Sequence, residues 1–172
     1  MELNLRDKHF EIPPLPPGFR AEPWNRSLLD AHARTHYMSF RDEPDAKIFE
    51  SFRTYKGSRQ VVEYMVNRPG FLPEATWLIT YFPSDAVYPV YVAGIQAGRD
   101  HAGFGAVQNI GVIPEFRHRG LGFQCLSRAL IGFQKAGVSG VRLEVTATNE
   151  SALGLYRKVG FVPIRVLYRA IK

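Results

Sequence analysis

Between Ile110 and Gly122 the chain reads Ile-Gly-Val-Ile-Pro-Glu-Phe-Arg-His-Arg-Gly-Leu-Gly, and from Leu121 its apolar residues recur at helical spacing through Cys125, Leu126, Ala129, Leu130 and Phe133 to Gly137. A strand therefore passes through a short basic turn directly into an amphipathic helix. The start of such a helix offers unpaired N–H groups and the positive end of the dipole, so it favours an anion. Gly120 and Gly122 lack a Cβ and let a phosphate reach the backbone. Arg117 and Arg119 add donors suited to phosphate oxygens.

The remaining elements fall on either side of this unit. Ile12-Pro13-Pro14-Leu15-Pro16-Pro17-Gly18 is extended and non-helical, an arm that leads into a short strand over residues 19–24. A helix follows from Ser27, capped by Ser27 or Asn25, and Pro44 ends helical continuity. Ile48, Phe49, Phe52 and Tyr55 are spaced for a second short helix, and Val61, Val62, Met65 and Val66 for a third, closed by Pro69-Gly70. The period then changes. Residues 75–82 and 87–96 read as an antiparallel pair turning at Pro83-Ser84-Asp85. Residues 103–113 form a third strand, in which Gly105 and Gly111 mark a bulge or a close backbone approach. After the central helix come a strand at 141–146, a helix at 149–158 with Asn149 near its cap and Gly160 past its end, and a last strand at 161–171.

Three readings of the basic turn compete on the residues alone. Gly120-Leu121-Gly122 begins a dinucleotide fingerprint, and Glu144 ends a following strand as that fold requires, but Cys125 stands at the third glycine position. A P-loop is excluded because no Gly-Lys-Ser/Thr follows. The plain alternative is a solvated basic loop whose glycines only make the turn.

Arg117-x-x-Gly120-x-Gly122, entered from Ile110-x-Val112-x-Pro114, resembles the acetyl-CoA pyrophosphate motif of the GCN5-related N-acetyltransferase (GNAT) superfamily. Leu143-Glu144-Val145-x-x-x-Asn149-x-x-Ala152-x-x-Leu155-Tyr156-x-Lys158-x-Gly160-Phe161 resembles its second motif, in the right order and separation. The likeness is specific over residues 103–165 and topological over residues 1–100. It implies an α/β fold: one GNAT domain over residues 18–172, with a mixed, mainly antiparallel sheet flanked by helices, behind a proline-rich arm at residues 1–17. It also implies that the backbone of Ile110 and Val112 pairs with the pantetheine arm of acetyl-CoA. Arg117, His118, Arg119, Gly120, Leu121 and Gly122 would then hold the pyrophosphate. Asn149 would bond the pantetheine or acetyl end, and Tyr156 would protonate the departing thiolate. The spacing agrees, since seven residues place Asn149 and Tyr156 on one helix face about 10 Å apart. Read without the motif, Tyr156 is a core aromatic in an apolar stripe and Asn149 a plain cap.

Glu144 stands where the ribosomal-protein and protein N-terminal acetyltransferases of this superfamily have a proposed base, and a salt-bridged strand residue paired with Arg142 is the alternative. The family topology sets Arg41-Asp42-Glu43-Pro44-Asp45 over the acceptor site, where its carboxylates either attract a cationic amine or form a solvated acidic loop. Acetyl-CoA is thus the expected cosubstrate and a small-molecule or peptide amine the acceptor. No metal is expected, because the five histidines and single cysteine lack ligand spacing. Cys125 lies in the helix stripe and reads as core, against a covalent acetyl-cysteine route.

Composition narrows the partners. A chain of 172 residues suits one domain, and a net charge of +6 fits any polyanionic partner as well as simple solubility. The rival function is a non-catalytic CoA- or nucleic-acid-binding module of the same fold. His9, Arg20, Arg117, His118, Arg119, Arg128, Arg165 and Arg169 would supply its basic face, but they are scattered and carry no nucleic-acid signature. With one cysteine, no signal-peptide pattern and no apolar run of about 20 residues, the expectation is a cytoplasmic protein without a membrane partner; a homodimer stays open.

Overall fold

A computed structural model of the chain describes residues 1–43, 45–83 and 87–168. Its centre is a six-stranded sheet in the order β1-β6-β5-β4-β3-β2. The strands are β1 (Glu2–Asn4), β2 (Phe19–Pro23), β3 (Trp77–Tyr81), β4 (Val90–Arg99), β5 (Gly105–Val112) and β6 (Gly140–Leu143). All neighbours are antiparallel except β5 and β6, which run parallel through Gly105↔Val141, Ala106↔Arg142 and Val107↔Leu143. The helices are α1 (Leu29–Phe40), α2 (Asp45–Ile48), α3 (Tyr55–Val66), α4 (Leu121–Lys135) and α5 (Glu150–Val159). Among the described residues, no helix is long and apolar enough to cross a membrane.

Two cores hold the layers. The larger joins the apolar stripe of α4, from Leu121 to Phe133, to the sheet residues Ile79, Val92, Ile95, Val107, Val141 and Leu143. The smaller joins Leu29 and Ala33 of α1 to Val62 and Val66 of α3. Asn25 rather than Ser27 caps the first helical turn, accepting from the Ser27 N–H, and Asn149 caps α5 by accepting from the Ala152 N–H. Gly160 ends α5 at φ +102°, a left-handed position natural to glycine.

The glycines of β5 meet side chains rather than backbone. A Cβ on Gly105 would lie 2.7 Å from the Phe133 ring, and one on Gly111 2.6 Å from Ser39 Cβ. The bulge falls between them. Gln96 faces Asn109 but Ala97 faces Val107, which leaves Gln108 as the extra residue.

Other expectations change. Residues 48–55 do not make one helix: α2 ends at Ile48, Phe49 is extended, and a 3₁₀ turn at Glu50–Arg53 precedes Thr54, which caps α3. The strand expected from Ala75 starts at Trp77, after a 3₁₀ turn at Pro73–Ala75. Residues 162–168 form no strand and make one bridge, Glu2↔Val162. The edge of β6 that they would have taken is filled by residues 2–4, a strand the sequence reading did not find. Pro44, the Ser84-Asp85 turn and Arg169–Ile171 lie outside the described residues.

Candidate active site

The bulge creates the site. A bulge adds right-handed twist, and β5 keeps its pairing with β6 only through Val107, before it. Beyond it, β5 stays paired with β4 alone. The Ile113 N–H donates to the Val92 carbonyl at 2.9 Å. Bonded pairs alternate along an antiparallel ladder, so Gly111 and Asn109 direct their backbone groups to β4, and Ile110 and Val112 direct theirs away from it, towards the gap beside β6. This edge has no strand partner among the described residues, although the Val112 carbonyl accepts from Arg117 Nε at 3.2 Å.

The open edge leads to the start of α4. Gly120 is the N-cap residue at φ +76°, a conformation that favours glycine, and no side chain caps the helix. The first α4 amide with a backbone acceptor is Gln124, which donates to the Gly120 carbonyl at 3.0 Å. The N–H groups of residues 118–123 donate to no backbone carbonyl among the described residues. His118 is also left-handed, at φ +60°. A Cβ on Gly122 would meet Leu155 Cδ2 at 3.4 Å and Val112 Cγ2 at 3.9 Å, so β5, α4 and α5 converge there. The side chain of Leu121 is buried in the core, which leaves only its amide for a ligand. Arg119 is exposed, its guanidinium 5.2 Å from the Phe116 ring centre.

Arg117 is occupied differently from its neighbours. Its guanidinium pairs with Glu43 Oε1 at 2.6 Å, donates from Nη2 to the Ser39 carbonyl at 3.1 Å and reaches the Val112 carbonyl through Nε. It therefore ties the basic turn to the end of α1 and to β5.

On α5, Asn149 serves as the cap and Tyr156 is only 4% exposed, its ring 5.8 Å from that of Phe161 in an edge-on contact. Glu144 is exposed directly after β6. The Met1 ammonium donates to the Leu143 carbonyl at 2.8 Å; burial lowers its pKa, against the opposing charge of Glu144. Arg142, the partner considered for Glu144, pairs with Glu2 at 2.8 Å and Asp100 at 3.5 Å. Cys125 is fully buried, which pushes its thiol up to about 12 and leaves it without nucleophilic character at neutral pH.

Opposite lies α1. His32, His36 and Ser39 lie on the face of α1 turned to the sheet, at the spacing expected of apolar residues. Gln96 Nε2 donates to His32 Nδ1 at 2.9 Å. His32 Nε2, both ring nitrogens of His36 and Ser39 Oγ are buried without hydrogen-bond partners. Burial lowers the pKa of His32 to about 3 and of His36 to about 4, the latter partly offset by nearby Asn109, which stops short of hydrogen-bond geometry. In the acidic loop Asp42 pairs with Arg41 at 3.0 Å and Glu43 with Arg117. The sequence reading did not find this cluster. Its signal was present: histidines at 32 and 36 occupy stripe positions beside Leu29 and Ala33.

A family model described as the acetyltransferase (GNAT) family matches residues 22–161. An N-alpha-acetyltransferase RimI from Mycobacterium tuberculosis is 49% identical over 55 residues, 32% of this chain and 33% of that protein. A mycothiol acetyltransferase from Beutenbergia cavernae is 28% identical over 157 residues, 89% of this chain and 48% of that protein. A solved GCN5-related N-acetyltransferase from Sphaerobacter thermophilus superposes with a TM-score of 0.65 at 21% identity, over 92% of this chain and 45% of that one. These matches thus span about a third to a half of each relative's length.

Proposed function

The chain belongs to the acetyltransferase (GNAT) family, and on that premise we propose that it transfers the acetyl group of acetyl-CoA to a primary amine, by direct attack of the amine nitrogen. One observation carries this reading: the edge of β5 at Ile110 and Val112, without a strand partner among the described residues, runs into the uncapped start of α4. An extended arm containing amides and ending in a pyrophosphate is complementary to those two surfaces in that order. The free amides of residues 118–123 and the bare Gly122 fit the phosphates.

In this reading Ile110 and Val112 hold the pantetheine arm by backbone pairing. The amides of His118, Arg119, Gly120, Leu121 and Gly122 cradle the pyrophosphate, with Arg119 adding charge. Arg117 contributes by fixing the turn. Asn149 keeps its cap and turns its amide nitrogen to the arm. Glu144 takes the acceptor's proton through a bound water. As the nitrogen–carbon bond forms and the carbon–sulfur bond breaks, Tyr156 donates its hydroxyl proton to the departing sulfur. We assign this work to residues 18–172. Within residues 1–17, Glu2–Asn4 join the sheet as β1, and Pro13 and Pro14 meet α4, where Gln124 Nε2 donates to their carbonyls at 2.9 and 3.2 Å.

Calorimetric titration with CoA, together with thiol release from acetyl-CoA in the presence of amines, tests the proposal. Gly122→Ala places a methyl group beside the amides without crowding the fold, since its Cβ makes only ordinary contact with Leu155. Hydrogen bonds to a charged group are worth about 1.5–3 kcal/mol each, so CoA affinity should fall about tenfold or more in a folded variant. Unchanged affinity, or no acetyl consumption with any amine, would overturn the reading.

A further inference from the structure

The wall facing the proposed acetyl site is aromatic. The rings of Phe40 and Phe52 lie 5.2 Å apart, Phe49 and Phe52 5.1 Å, and His36 sits 4.9 Å from Phe40 and 4.7 Å from Phe52. The three phenylalanines are half-buried, whereas His36 beneath them is only 3% exposed. This group rests on the segment of β5 with the open edge: a Cβ on Gly111 would come within 3.0 Å of Phe40 Cε2. Arg117 binds the end of α1 to the same strand through the Ser39 and Val112 carbonyls.

Two carboxylates beside the wall are already paired. Asp42 and Glu43 have arginine partners, so neither described carboxylate of this loop is left to receive a cation. The polar atoms without partners are uncharged ones: the ring nitrogens of His36, a donor and an acceptor in the neutral imidazole, and Ser39 Oγ. Buried polar groups are nearly always bonded in the working state of a protein, to the protein itself, to water or to a ligand. A ligand meeting this wall is offered apolar contact, edge-on ring partners and one neutral polar site.

We infer that the acceptor is an amine carried on an aromatic or apolar group, received against Phe40, Phe49 and Phe52 with neutral His36 as the polar contact beneath. This inference rests on the acetyl-transfer reading and narrows it to a substrate class. Among Phe40, Phe49, Phe52 and His36 there is no charged side chain to favour a polyamine or an amine flanked by carboxylates.

Turnover of acetyl-CoA by the full chain distinguishes the cases with four acceptors: 2-phenylethylamine and Phe-Ala-Ala-amide on one side, spermidine and Asp-Ala-Ala-amide on the other. The expected kcat/KM is at least about tenfold higher for an aromatic acceptor than for its polar counterpart. Phe52→Ala should remove that preference by raising the acceptor KM while the acetyl-CoA KM stays unchanged. Phe52→Leu, which keeps an apolar side chain, should retain part of the preference and serves if the alanine variant melts at assay temperature. Equal or better turnover of spermidine and the aspartyl peptide overturns this inference and leaves acetyl transfer standing. The same holds if the preference survives in both folded variants. Failure of all four acceptors with protein that still binds CoA counts against acetyl transfer itself and removes the inference with it.

Discussion

The two walls beside β5, that of α4 and that of α1, differ in what they leave unsatisfied among the described residues. On the α4 side the open groups are backbone amides at residues 118–123 and the edge of β5 at Ile110 and Val112. On the α1 side they are side-chain atoms, the nitrogens of His32 and His36 and the hydroxyl of Ser39. Backbone amides are the same in every sequence; what a chain must encode to expose them is a turn, two glycines and a helix start. Side-chain atoms carry their own chemistry, so the second wall can differ between relatives that share the first. A wall of amides suits a constant ligand, and a wall of side chains suits a variable one. Arg117 joins the two, since it comes from the basic turn and spends its guanidinium on Glu43 and on the Ser39 carbonyl.

The largest expected effect tests whether chemistry belongs to the first wall. Tyr156→Phe keeps the packing of a ring that is 4% exposed and removes only the hydroxyl. Proton transfer from a placed side chain is worth about 10²–10⁴-fold. Steady-state kinetics should show kcat falling into that range with little change in acetyl-CoA affinity; parental turnover would make Tyr156 purely a core residue.

The second test reads the α1 wall alone. His36 has a pKa of about 4 in the folded chain against an ordinary 6.5, and that of His32 is lower still. Between those values the unfolded chain takes up protons that the folded chain refuses, so stability falls as pH drops from about 6.5 towards 4. At ~1.4 kcal/mol per pH unit, His36 alone accounts for about 3 kcal/mol. Thermal or urea unfolding across this range should show the loss, and His36→Leu should remove about half of it, since His32 loses stability over the same range. A parent curve no steeper than the variant's would mean that the imidazole is solvated or charged in the folded chain.

The smallest effect concerns the residue between the walls. Arg117→Ala removes a partly exposed ion pair and two hydrogen bonds to carbonyls, which should lower stability by about 1–2 kcal/mol and CoA affinity by less than about tenfold. A larger loss of affinity at unchanged stability would place the guanidinium on the phosphates, as its position in the motif implies.

The sequence by itself determined the elements whose signals are local. The α4 stripe, the glycine turn, the Asn149 cap and the Gly160 stop depend on residues within a few positions of one another, and each stands where the pattern puts it. With them came the α4 wall, because its open amides belong to the backbone of that turn. Tertiary structure decided what depends on partners distant in the chain. Residues 2–4 took the edge of β6 and left residues 162–168 without a strand. Gly111 meets Ser39 and Phe40, and Arg117 reaches Glu43 and the Ser39 carbonyl. His36 became a neutral, buried group against β5 although polarity alone would put it in solvent. The physical reason is common to these cases. A turn or a cap is selected by torsion preferences and hydrogen bonds that close within one or two turns of helix. The occupant of a sheet edge, the partner of a guanidinium and the solvation of an imidazole are fixed only when segments tens of residues apart compete for the same surface.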